Sequence, residues 1–121
     1  MNVVTGRRKP IVFIVEHQPF DYSHAETYGD FQVLKADKLA PNAPDDDHNT
    51  DVLASLRRQL GQYSPGYDYV IPTGAPSRIM VIGMLLAERV DEYMRRSGGN
   101  IHNILGWDAK TQRYLNYKLV L

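Results

Sequence analysis

The sequence predicts an α/β fold: a single compact domain with a mixed sheet of about five strands and two main helices, in the order β-β-α-β-α-β-β. Three observations carry this. Residues 11–16 (IVFIVE) form an unbroken β-branched and aromatic run, as in a strand covered on both faces. Two longer segments, about 50–62 and 76–96, repeat apolar residues at helical spacing. Residues 100–121 (NIHNILGWDAKTQRYLNYKLVL) read as two strands about a polar bend.

In chain order, residues 1–10, ending in GRRKP, read as a flexible N-terminal arm, which leaves 11–121 as the domain. After the first strand, HQPFDYSHAETYGD breaks period at Pro19 and Gly29 and reads as a loop. FQVLKA (31–36) is a short strand, and DKLAPNAPDDDHNT is an exposed loop feeding the first helix, Thr50 to Gln62. There Val52, Leu53, Leu56 and Leu60 form the apolar stripe, while Arg57, Arg58 and Gln59 are expected to face water. Asn49, Thr50 or Asp51 supplies the N-cap oxygen.

SPG (64–66) is a turn and YDYVIP (67–72) a strand. The second helix follows and is stopped by SGG at 97–99. Its first half (Ile79, Met80, Val81, Ile82, Met84, Leu85, Leu86) is apolar on nearly all sides and is expected to be deeply buried. Its second half is amphipathic. In the last strand Leu115, Tyr117, Leu119 and Leu121 share one face.

A chain of 121 residues, 43% hydrophobic, is one domain with enough apolar material for its own core. Lys+Arg and Asp+Glu both number 14, so the formal net charge is zero. That speaks against a surface basic all over, as a nucleic-acid coat would be, and permits self-association. With no cysteine, disulfides, thiolate chemistry and cysteine zinc sites are excluded. The longest apolar stretch, Ile79 to Ala87, is too short to span a bilayer, and Glu16 ends the run that an export signal would need. The chain is expected to be soluble and intracellular, with no membrane partner.

The turn PTGAPSR joins a strand to a helix, where open α/β sheets bind ligands and where unpaired N–H groups attract anions. Thr73, Gly74, Ala75, Ser77 and Arg78 are the tentative anion-binding residues. The stretch matches neither dinucleotide nor P-loop spacing, and Pro72 and Pro76 each remove a donor, so a plain connector is the favoured reading.

In EHQPFDYSHAE, Glu16, His17, Asp21, His24 and Glu26 crowd together, with His17, Asp21 and His24 as weak metal candidates. Their spacing fits no regular ligand pattern, and a solvated loop is favoured; no metal or cofactor is expected. Asp45, Asp46 and Asp47 lack the spacing of a calcium loop and suit a helix N-terminus. Without a G-x-S-x-G elbow, nucleophilic catalysis has little support. The basic run GRRK (6–9) and the pairs Arg57/Arg58 and Arg95/Arg96, with eight tyrosines, leave nucleic acid as a lesser reading.

Two segments, YVIPTGAPSRIMVIGMLLAE and ILGWDAKTQRYLNYKLVL, together resemble a pattern in small accessory proteins of tailed bacteriophages. The resemblance covers residues 67–121 and implies a non-enzymatic interaction protein that binds a phage or host protein, for example to inhibit a host process. It also implies a homo-oligomer in the cytoplasm of an infected bacterium, and it carries over no active site. The alternative is a nucleotide- or anion-binding module using the turn at 73–78.

Overall fold

Strand order decides most of this architecture. In the computed structural model, which describes residues 8–41, 47–97 and 101–120 (for 89–97 the backbone alone), the sheet runs β2-β1-β3-β4-β5. Its strands are β1 (Ile11–Ile14), β2 (Asp30–Val33), β3 (Tyr69–Ile71), β4 (Ile101–Asp108) and β5 (Arg113–Val120). The helices are α1 (Asp47–Gln59) and α2 (Pro76–Ser97). The first four strands are mutually parallel and β5 is antiparallel to β4. This is the mixed α/β sheet expected from the sequence.

From β1 the chain steps outward to β2, then returns across β1 to β3 and continues the same way to β4. Parallel crossovers are almost always right-handed, so connections running in opposite directions lie on opposite faces. Helices α1 and α2 accordingly share one face, and the loop from β1 to β2 has the other to itself. The core divides in the same way. Phe13, Val15, Val70 and Ile11 pack with Val52, Leu56, Leu60, Ile82, Leu85 and Leu86 on the helical face. Val12, Ile14, Ile71 and Leu105 pack with Tyr22, Ala25 and Tyr114 on the loop face. β1 is buried on both sides, as its unbroken apolar run requires.

Helix α2 departs from expectation. Its inward side, Ile82, Leu85 and Leu86, is buried, but Met80 and Met84 are 66% and 63% exposed. One sheet lies beneath the helix and, among the described residues, no layer covers its outside, so burial is one-sided. The amphipathic second half lies outside the residues whose side chains are described, as do most of the SGG stop and Asp45 and Asp46.

Helix α1 starts at Asp47, before the expected cap residues, and ends in a 3₁₀ turn at Leu60–Gln62. Asn49 is inside it and makes a different bond: its carboxamide donates to the Ala40 carbonyl (3.0 Å) and accepts from the Ala40 N–H (2.7 Å). Gln59, expected in water, treats Lys35 alike, accepting from its N–H at 2.8 Å and donating to its carbonyl at 2.6 Å. Two helix carboxamides thus stand in for a neighbouring strand along residues 35–40, which have no regular structure.

Within the hairpin, Gly106 makes room for Tyr117, whose ring would lie 2.8 Å from a Cβ at that position. Asp108 accepts from the N–H and hydroxyl of Thr111, and Gln112 takes a positive φ of 53° to close the bend.

His102 on β4 is buried, and its Nδ1 lies 2.6 Å from the Tyr63 hydroxyl. Burial pushes the His102 pKa below the ordinary 6.5. Unfolding therefore takes up a proton at acid pH: the stabilisation is complete above about 6.5 and declines as pH falls through the window below it. Denaturant titrations from pH 8 to pH 5 are expected to show this decline, and His102→Gln should flatten it.

Candidate functional site

β1 and β3 lie side by side, and the chain leaves β1 toward β2 on one side and returns to β3 on the other. Their carboxyl ends therefore form the switch point at which open α/β sheets place ligands. Glu16 follows β1, and Thr73, Gly74 and Ala75 follow β3. The Thr73 hydroxyl donates to the Glu16 carbonyl (2.8 Å), and the Ala75 N–H donates to Glu16 Oε1 (2.8 Å). Gly74 sits at φ 110°, and a Cβ there would lie 2.2 Å from that same oxygen. This is why a glycine stands in the turn: the Glu16 carboxylate presses against its backbone.

The residues of the tentative anion site are thus placed as follows. Ala75 gives its N–H to the protein's own carboxylate, and Ser77 is exposed. Arg78 is 5% exposed and donates to the carbonyls of Ala36 (3.1 Å) and Asp37 (2.9 Å).

A cleft of about 610 Å³ opens beside this point, on the face that the helices leave free. Ile71, Pro72 and Thr73 come to it from the end of β3, Leu105 to Trp107 from β4, and Gln112 and Tyr114 from the hairpin. Pro19, Phe20, Asp21 and His24 supply the opposite wall from the loop after β1. Two features hold that loop in place. Tyr22 and Ala25 are buried against the sheet, and the Tyr28 hydroxyl donates to the Tyr114 carbonyl at 3.0 Å.

The walls are aromatic. Trp107 stands between His24 (ring centroids 5.5 Å) and Tyr114 (5.2 Å, edge to face). Trp107 is 47% exposed and Phe20 58%, large values for rings that line a concavity. Asp21 brings the negative charge. Its carboxylate accepts from the Ser23 N–H at 2.9 Å, a bond that lowers its pKa. Burial raises the pKa of the Tyr114 phenol, and the charge of Asp21 adds to the rise.

The three weak metal candidates take separate neighbours: His17 faces the Tyr22 ring at 5.9 Å, Asp21 caps Ser23, and His24 lies against Trp107. Among the described residues no group of three His, Cys, Asp or Glu side chains is placed to hold a metal ion. Among the same residues, no helix is long and apolar enough to cross a membrane. Sequence reasoning did not single out Phe20 and Gln112, took Tyr114 only as one of eight tyrosines that could stack bases, and took Trp107 only as part of the bend and the phage resemblance. The one available signal was Trp107, the sole tryptophan, set at the mouth of a polar bend.

Comparison with known proteins adds one match. The family model described as Phage Pam3 gp32-like protein matches residues 10–121, extending the phage resemblance beyond residues 67–121. Comparisons with curated proteins and with solved structures give no match.

The buried guanidinium of Arg78 generates a prediction opposite to that for an exposed anion ligand. Arg78→Ala is expected to lower unfolding free energy by about 1.5–3 kcal/mol, the range for hydrogen bonds from a charged donor. Denaturant unfolding measures it, and a loss below about 0.5 kcal/mol would contradict the assigned role.

Proposed function

We propose that this chain, a member of the Phage Pam3 gp32-like protein family, is a non-enzymatic interaction protein that binds a phage or host protein through the aromatic cleft. The observation that carries the reading is the cleft's pair of half-exposed rings, Phe20 and Trp107, delivered from opposite walls at the carboxyl end of the sheet. Exposed aromatic residues at a concave site are the usual anchors of protein recognition, because they bury large apolar area at low entropic cost.

A nucleotide or phosphate at the 73–78 turn is the second reading, favoured by the turn's place at the switch point. It requires the incoming anion to displace Glu16 from the Ala75 N–H. One pair of experiments separates the two. Immobilised protein is expected to retain a protein from infected cells that the Phe20→Ser/Trp107→Ala variant does not retain. Thermal shift against nucleotides and phosphate is expected to stay flat. Identical retention by both forms, or a nucleotide-dependent rise in melting temperature, would overturn the first reading.

Self-association belongs to the same proposal. β5 ends the sheet, with Tyr117, Leu119 and Val120 exposed along it, and a strand edge of eight residues can pair with a second copy. Arg113 and Lys118 are the charges that oppose this pairing. Light scattering is expected to give a dimer that Leu119→Lys dissociates; a monomer at every concentration would refute it.

A further inference from the structure

We propose that the cleft takes a cationic side chain, a guanidinium in preference to an ammonium, carried by the protein partner. The inference rests on the interaction reading and names the chemistry at its centre. Among the described residues twelve line the cleft; Asp21 is the only acid among them, and none of the twelve is lysine or arginine. His24 is the one titratable base in the same described lining, so Asp21 carries its one permanent charge, and Asp21 Oδ1 accepts from the Ser23 N–H.

The remaining surface fits such a group part by part. Ile71, Leu105 and Tyr114 are buried and make an apolar floor suited to the methylene stem of a long basic side chain. Trp107 and Phe20 are partly exposed rings in the same lining, and an aromatic ring attracts a cation through its quadrupole, indole most strongly. The Thr73 hydroxyl and the Gln112 carboxamide belong to the same lining and can accept, which suits the five donors of a guanidinium better than the three of an ammonium.

The same geometry is unfavourable to phosphate. No described lining residue offers a fixed positive charge, and the N–H of Ala75, in the turn before α2, already holds Glu16. A nucleic acid would bring its backbone charge to a carboxylate. The occupant that the charge pattern favours is therefore a basic segment of a protein.

The chain has one tryptophan, and it stands in the cleft, so the emission of Trp107 reports occupancy directly. The full-length protein is titrated with acetyl-arginine amide, its neutral isostere acetyl-citrulline amide, acetyl-lysine amide and AMP. A saturable change is expected with the arginine probe, weaker with lysine, and at least tenfold weaker with citrulline or AMP. Asp21→Asn keeps an oxygen for the Ser23 N–H and should leave the melting temperature unchanged, yet weaken the arginine response about tenfold, the scale of one charge-assisted contact.

Citrulline binding as tightly as arginine, or an unaltered response in Asp21→Asn, would overturn the cationic inference while leaving a protein-binding cleft intact. AMP binding more tightly than arginine would overturn it in favour of an anion. A silent Trp107 with every probe to roughly 50 mM, together with partner retention unaffected by the cleft variants, would overturn both inference and parent reading.

Discussion

The carboxylate of Asp68 holds the sheet together at its amino end. It is fully buried and accepts four hydrogen bonds: Arg8 Nη1 (2.7 Å) and the Ile11 N–H (2.8 Å) on one oxygen, Arg8 Nη2 (2.6 Å) and the Ser64 N–H (2.7 Å) on the other. A buried charge is tolerated only when paired and fully bonded, and the bidentate arginine with two amides meets that condition. Arg8 is held in turn by the carbonyl of Gln62 and lies over the Tyr67 ring, whose hydroxyl donates to the Arg8 carbonyl. One side chain therefore joins the start of β1, the turn after α1 and the approach to β3. Arg8 falls within the segment read from sequence as a flexible arm, and it takes part in this junction.

What is fixed at one end of parallel strands is aligned at the other. With β1 and β3 registered, Val12 beside Tyr69 and Ile14 beside Ile71, their carboxyl ends finish together and bring Glu16 against the Thr73–Ala75 turn. The cleft is a second consequence of the topology. Among the described residues only the β1–β2 connection crosses the face opposite the helices, and its regular structure is one 3₁₀ turn, Ser23–Ala25. It covers β1 and its neighbours and leaves open the ground between itself and the β4–β5 hairpin. A doubly wound sheet would fill that space with a helix; here Phe20 and Trp107 face it.

The parts legible in sequence were those that periodicity encodes. The apolar run at 11–15 declared a strand covered twice, and the stripe Val52, Leu56, Leu60 declared the buried side of α1. Periodicity could not say that α2 has a neighbour on one side only, which left Met80 and Met84 outside. Nor could it see contacts made across the chain. Glu16 meets Ala75 from 59 positions away, Arg78 reaches back to Ala36, and Asn49 and Gln59 were read as a cap and a solvent residue because their partners are backbone groups elsewhere. The turn at 73–78 was visible as a turn, and its occupant was not. The cleft was invisible for the same reason: Phe20 and Trp107 belong to one site only after the sheet brings loop and hairpin together.

Asp68→Ala tests most directly whether this carboxylate sets the register on which the site depends. The account predicts a loss of about 2–5 kcal/mol in unfolding free energy, because the Ile11 and Ser64 N–H groups lose their acceptor and Arg8 its partner. It also predicts faster amide exchange along β1 and β3, and a shift in Trp107 emission as the far end of the sheet loosens. A variant within about 0.5 kcal/mol of the parent, with β1 and β3 amides equally protected and Trp107 unchanged, would show that the strands register without it.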